Sequence, residues 1–545
     1  MTDPLAARMR WWGWGVEGHD APLPRAAAAL LRDELGAGGA RADPPALDRV
    51  DLAAAALASS ARARLVEAVG AEHVRDDRLT RIAHAAGRSY PDLVRLRSGR
   101  GLRAPDAVVY PADHDDVAAL LALCAQEAVA VIPFGGGTSV VGGVEPLRGS
   151  FGAAITLDLA RMTGLMAIDP RSQLATFAAG TTGPEVERLL GTHGLTLGHF
   201  PQSFEFSTVG GWAATRSAGQ ASTGYGRIED LVVALRAATP SGELRPIPVP
   251  ASAAGPDLRE LLLGSEGVLG VISEVTLRVR PRPAEQRYDA YCLPGFAAGT
   301  EALRAVVQAG AAPDLARLSD EEETRVSLAL AARPAAARTL RAYLRARGQR
   351  AACLTILGFD GDHAQVARRR ARARSILRRH GAIALGPAPG GAWAKGRFHG
   401  AYVRDELLSR GVLVDTLETA TSWTALADLH RDIGAALRGA LARRGTPAVV
   451  MCHVSHLYPT GASLYFTFLA RQQPGAELEQ WQAAKTAASE VIASAAATIT
   501  HHHGVGTDHA PWLAAEVGEL GLAALRAVKA RVDPTGVMNP GKLLA

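Results

Sequence analysis

Residues 131–143 read VIPFGGGTSVVGG: five glycines and no charged side chain, set between apolar runs. Glycine lets main chain approach a partner closely and reach angles that other residues avoid. Peptide N–H groups with no side chains in the way make a cradle for phosphate. A tight turn uses the same glycines, and the stretch alone does not separate the two readings. Its flanks carry the argument further. Residues 106–139, DAVVYPADHDDVAALLALCAQEAVAVIPFGGGTS, read as strand, proline turn, amphipathic helix, strand and glycine loop. Asp113 is placed to cap that helix, with further acids in its first turn. LATFAAGTTGPEVERLLGTHGLTLG (174–198) reads as a strand, a turn, a helix that Thr182 could cap, and a glycine stop. A glycine-rich loop from Ser207 leads to a strand and a turn at Ser241-Gly242. LLLGSEGVLGVISEVTLRVRPRP (261–283) closes the region with a strand and a proline stop. The alternation predicts an α+β fold around a buried ligand.

The chain has 545 residues, 48% hydrophobic and 21% charged, enough for several globular domains. A net charge of +5, scattered along the chain, gives no basis for nucleic-acid binding. The densest basic run, ARRRARARSILRRH (367–380), is expected to be a solvated helix face, with Val366, Ala373, Ile376 and Leu377 turned inward. Cys124, Cys292, Cys353 and Cys452 lie far apart, which argues against a zinc site and a disulfide framework and suggests a reducing, cytoplasmic compartment. No apolar run reaches the roughly 20 residues of a membrane span. Trp11, Trp12 and Trp14 either pack on the body of the protein or touch a membrane surface. The expected domains are a helical N-terminal region (1–95), a ligand-binding domain (96–283), an α+β cap in which AACLTILGFDG (351–361) and FHGAYVRDELLSRGVLVDTLET (398–419) supply short strands (284–455), and a C-terminal segment completing the site (456–545).

Several of these pieces, in this order, resemble the vanillyl-alcohol-oxidase type of FAD enzyme: PFGGGTS (133–139), QSFEFST (202–208), TRSA (215–218) and EGVLGVI (266–272). The resemblance implies a PCMH-type, two-lobed FAD-binding domain with an α+β cap. It assigns cofactor contacts to Pro133, Phe134, Gly135, Gly136, Gly137, Thr138 and Ser139; to Gln202, Ser203, Phe204, Glu205, Phe206, Ser207 and Thr208; to Thr215, Arg216, Ser217 and Ala218; and to Glu266, Gly267, Val268, Leu269, Gly270, Val271 and Ile272. Covalent flavin in this family usually hangs on His or Cys in or near the pyrophosphate loop. Residues 131–150 contain neither, so the FAD is expected to be noncovalent.

Within that group, FSTVGGW, YGRIEDLVV, GSEGVLGVI, RLSD (317–320), YVRD (402–405), LYFTF (464–468) and HHHGVG (501–506) resemble the alkylglycerone-phosphate synthase family. In that family the acyl group of acyl-dihydroxyacetone phosphate is exchanged for a long-chain alcohol, with FAD taking part and no net redox change. A lipid substrate implies peripheral membrane contact, and a homodimer is expected. Two departures point elsewhere. VMNPGKLL (537–544) looks more like the tail of FAD-linked glycolate and D-lactate dehydrogenases, and GTDHAPWL (506–513) stands where the synthases tend to be basic. The dehydrogenases usually carry Glu-His-Gly where this chain has His502, His503 and Gly504.

The resemblance places the catalytic tyrosine at Tyr465, which the alternating SLYFTF pattern alone would make a core residue. A phenol with a pKa of about 10 needs a positive charge or a histidine partner to act as a base. His501, His502 and His503 are the acid–base candidates. On an extended strand His501 and His503 would share one face and His502 the other, so a common metal ion is not expected. Arg404 is assigned to the substrate, its guanidinium fork suiting phosphate or carboxylate, although pairing with Asp405 or Glu406 would explain it equally. Arg317 and His199 are the other substrate-side candidates.

Overall fold

The computed structural model describes residues 9–19, 21–23, 25–39, 41–330 and 334–544. Its larger sheets divide the chain in two. A four-stranded sheet runs in the order Val74–Arg75, Ala107–Val109, Ala153–Asp158, Val129–Phe134, and its last three strands are parallel. Val129–Phe134 is a near-continuous apolar run because both of its faces are covered, as parallel strands require. The helix His114–Glu127 precedes it, and Asp113 caps that helix by accepting from the N–H groups of Asp115 and Asp116, each at 3.0 Å. A five-stranded antiparallel sheet follows in the order Leu165–Asp169, Leu174–Ala178, Val271–Arg278, Val232–Thr239, Gly242–Leu244. One core of buried aliphatic side chains fills the space around both sheets. The helix Gly183–Gly191 forms where expected, but Thr182 makes no side-chain capping bond.

The second half is a seven-stranded antiparallel sheet: Ile383–Gly386, Glu285–Leu293, Cys353–Gly361, Leu315–Ser319, Ala448–Val454, Gly461–Arg471, Val412–Ser422. Helices Phe296–Gln308, His363–Arg379 and Leu426–Arg443 share a core with it. The basic helix buries Val366, Ala373, Ile376 and Leu377, as its spacing predicts. Its arginines are not all solvated, however: Arg370 pairs with Asp289 at 2.7 Å and Arg369 with Asp314 at 2.6 Å.

Two expectations need revision here. Residues 398–419 are not strand throughout: Gly400–Ser409 is a helix, and the strand begins only at Val412. The polar residues 404–406 break the alternation a strand needs, and Glu406 pairs with Arg410 one helical turn on. The sheet also crosses the boundary drawn at 455, since Ala448–Val454 and Gly461–Arg471 are paired neighbours. Of the three tryptophans, Trp14 is buried, with its ring 5.4 Å from that of Phe206. Trp11 and Trp12 are half-buried, and Arg10 lies over the Trp12 ring at 4.4 Å. No helix among the described residues is long and apolar enough to cross a membrane.

Candidate active site

The glycine loop is held from four directions. A Cβ on Gly136 would lie 2.0 Å from the Phe206 carbonyl oxygen, and one on Gly135 2.4 Å from Thr208 Oγ1. The segments 133–139 and 202–208 therefore touch through bare backbone. Gly267, at φ +75°, sits where a Cβ would come 2.7 Å from Pro133. Glu266 N–H donates to the Ala214 carbonyl at 2.9 Å, which ties the fourth motif to the residue just before the third. The C-terminal tail closes the cradle from below: Val131 N–H donates to Val537 O at 2.8 Å, and Asn539 Nδ2 donates to Gly143 O at 3.1 Å and to Glu266 O at 2.7 Å.

Among the described residues, no hydrogen bond uses the N–H groups of Gly136, Gly137 or Thr138. Three adjacent free donors at the end of a buried strand fit a diphosphate, so the loop suits the pyrophosphate of FAD. Side chains of the other motifs mostly brace the walls. Trp212 Nε1 donates to Ser207 Oγ at 2.7 Å, Tyr402 Oη donates to Glu205 at 3.0 Å, and Gln220 Nε2 donates to Gln202 Oε1 at 3.2 Å. Phe204 stacks on Phe398 at 5.7 Å, and Arg216 binds the Leu263 carbonyl through Nε at 3.0 Å. His199 is buried, with Nε2 2.8 Å from Ser217 Oγ. Burial, aided by the charge of His502, lowers its pKa to about 3, so this imidazole stays neutral.

The cap sheet carries the other half of the site. Its register sets Glu418, Tyr465 and His453 side by side on three neighbouring strands. The rings of Tyr465 and His453 stack at 4.8 Å. His502 lies parallel to Tyr465 at 6.3 Å, and His503 meets it edge-on at 5.7 Å. Burial pushes the Tyr465 phenol up to about 12, against a hydrogen bond from Thr416 and the charge of Arg404. The resting side chain is thus a neutral phenol. Arg404, on the helix Gly400–Ser409, is not consumed by its acidic neighbours. Asp405 accepts from Trp14 N–H at 2.6 Å and Glu406 pairs with Arg410 at 2.8 Å, while Arg404 Nε is buried without a hydrogen bond. Arg317 differs. Its fork is already taken by Glu323 and by His453 Nε2 at 3.1 Å. Burial opposes ionisation of Glu323, but the charges of Arg317 and His453 outweigh it and hold the carboxyl at about 2.

The three histidines do not lie on a strand. Residues 501–503 form a bend, so His501 and His502 both reach Glu418. The alternation expected for adjacent residues fails because Gly504, at φ +88°, and Gly506, at φ +53°, turn the chain immediately afterwards. Glu418, His453 and His456 were not among the residues singled out from sequence. Glu418 was visible only as one acidic residue on the buried alternation of VLVDTLETA, and the two histidines as the pair in CHVSH.

Comparison with known proteins recognises both halves. Residues 105–247 match the family described as FAD binding domain, and residues 282–543 match that described as FAD linked oxidases, C-terminal domain. The protein is an FAD-dependent enzyme of PCMH-type fold. A Dictyostelium discoideum alkyldihydroxyacetonephosphate synthase is 36% identical over 481 residues, covering 87% of this chain and 79% of that protein. A solved structure of alkyldihydroxyacetonephosphate synthase superposes with a TM-score of 0.86 at 30% identity, covering 99% of each chain. A Bacillus subtilis glycolate oxidase subunit is more distant, 24% identical while covering 88% of this chain and 96% of that one. The chain belongs to the alkyldihydroxyacetonephosphate synthase family.

Proposed function

We propose that this enzyme exchanges the acyl group of acyl-dihydroxyacetone phosphate for a long-chain alcohol, forming the ether bond of a lipid precursor. The observation that carries the reading is Arg404: a half-buried arginine whose Nε is buried and uncommitted, and whose charge favours ionisation of the Tyr465 phenol. A phosphate-bearing ketone needs an anion anchor beside a proton-transfer group, and a guanidinium gives two parallel hydrogen bonds to such an anion. Bound FAD supplies an electrophilic, electron-accepting centre that no side chain provides. Tyr465 handles the proton on the carbon next to the ketone. As a neutral phenol it accepts that proton only by passing its own onward, and His503, edge-on to its ring, is our choice of relay. Arg317, bound to Glu323 and His453, acts by fixing His453 against Tyr465 rather than by touching substrate. The ester C–O bond breaks, the fatty acid leaves, and the alcohol oxygen takes its place, with no net oxidation.

Absence of His and Cys from 131–150 supports noncovalent FAD, which acid denaturation should release into the supernatant. A long-chain alcohol partitions into bilayers, so we place the enzyme in the cytoplasm at a membrane surface, as a peripheral homodimer. The deciding experiment incubates flavin-replete protein with acyl-dihydroxyacetone phosphate and hexadecanol. Equal amounts of alkyl ether and free fatty acid are expected by mass spectrometry, with the flavin spectrum oxidised at the end. No ether, together with flavin bleaching by glycolate or D-lactate, would replace this reading with that of a hydroxy-acid dehydrogenase.

A further inference from the structure

Glu418 is wholly buried, and neither of its carboxylate oxygens receives a hydrogen bond of normal geometry. Three imidazoles surround it. Candidate donor atoms of Glu418, His456, His501 and His502 all lie within 4.8 Å of one another. Arg227, beside His501, is already paired with Glu229 at 2.9 Å and donates to the His501 carbonyl at 2.7 Å. A buried carboxylate with no lysine or arginine partner is costly unless another cation meets it.

We propose that these four side chains form a closed divalent-metal site of the zinc class. A tetrahedral ion with bonds of about 2.1 Å places its donors about 3.4 Å apart. Three edges of the cluster already have nearly that length. His501 Nδ1 lies 3.4 Å from Glu418 Oε1, His456 Nε2 lies 3.7 Å from the same oxygen, and the Nδ1 atoms of His501 and His502 are 3.3 Å apart. The groups that orient metal-bound imidazoles are also present. Tyr458 Oη lies 2.6 Å from His501 Nε2, and Ser222 Oγ lies 2.5 Å from His456 Nδ1. Each leaves the other ring nitrogen free for the ion. Three nitrogens and one carboxylate oxygen suit Zn²⁺ over the hard cations Mg²⁺ and Ca²⁺. With four protein donors the ion has a structural part to play. It pins the 501–503 bend to the strand Val412–Ser422 and leaves His503 outside the cluster, turned toward Tyr465. Ser222 belongs to the FAD-binding half, so the same ion ties the two halves together at this point. The site does not depend on which substrate the enzyme accepts.

The test is metal content of the flavin-replete full chain, incubated with Zn²⁺ and then freed of loose ion on a chelating resin. About one zinc per chain is expected by plasma mass spectrometry. Glu418→Gln and His456→Asn should each fall below about a tenth of that, at unchanged flavin content. Tyr458→Phe, which keeps all four donors, should weaken zinc binding about 10–100-fold in a chelator competition. If Glu418→Gln or His456→Asn does not fold, wild-type protein loaded with Co²⁺ should show the ligand-field bands of a tetrahedral ion to the red of the flavin absorption. Wild-type protein that retains no zinc and shows no such bands overturns the proposal, as does full zinc retention in both Glu418→Gln and His456→Asn.

Discussion

The loop at 131–143 and the cluster around Tyr465 make up the proposed site but are built by opposite means. The loop presents backbone: its N–H groups are the proposed ligands, and its glycines are dictated by carbonyls and side chains pressed against them. The cluster presents side chains from six separated segments, held by a sheet register and by one another. A site made of backbone tolerates no added atom at its contact points, whereas a site made of side chains can lose one function while keeping its shape. Substitutions in the two regions should therefore fail differently.

Gly136→Ala is the harshest break, since its new methyl would sit 2.0 Å from a carbonyl oxygen that is itself fixed in the neighbouring loop. Moving that backbone should cost on the order of 4 kcal/mol, the range of the worst single substitutions. The expected result is protein without bound flavin and with a lowered melting temperature. Yellow, stable Gly136→Ala protein would erase the distinction between the regions.

Tyr465→Phe removes one oxygen from a strand whose packing stays filled. Flavin and substrate should remain bound while turnover drops by about 10²-fold or more, the scale of losing a general acid or base. Normal turnover at full flavin occupancy would return Tyr465 to the core. Arg404→Lys keeps the charge and loses the fork. Substrate affinity should fall by about 1.5–3 kcal/mol, with a smaller effect on the chemical step. A change confined to kcat would move Arg404 from binding to catalysis.

His199→Gln sharpens the comparison with the smallest effect at neutral pH. Its pKa is depressed to about 3 by burial, so the folded state takes up that proton less readily than the unfolded chain does. Its contribution to stability is complete above about pH 6.5 and is lost as pH falls toward 3. The variant should reduce the acid-side slope of unfolding free energy by about one proton, about 1.4 kcal/mol per pH unit, in urea titrations between those values. An unchanged slope would mean that His199 is protonated in the fold.

Patterns that act over a few residues were legible in the sequence. The glycine loop, the Asp113 cap and the inward face of the helix His363–Arg379 all follow from neighbours in the chain, and the turn expected at Ser241-Gly242 falls one residue earlier, at Pro240-Ser241, between the paired Thr239 and Gly242. Local chemistry also misled where several structures could use it. Thr182 stands at a helix start without capping it, and 400–409 holds apolar residues enough for a strand but forms a helix. The motifs of 133–139, 202–208, 215–218 and 266–272 could be lined up by resemblance, yet their interlocking through Gly136, Gly267 and the tail at 537–539 required coordinates.

The cluster itself belonged almost wholly to tertiary structure. Nothing near Glu418 in the chain announces that it will face His456, His501 and His502, because a strand and two loops remote in sequence bring them together. Nor could sequence tell Arg404 from Arg317. Each sits beside acids in the chain, but one keeps an uncommitted guanidinium nitrogen and the other is spent on Glu323 and His453. Backbone-built chemistry is written locally, since glycine at a given position has few other reasons to be there. Side-chain chemistry depends on which partners arrive through space, and only the folded chain decides that.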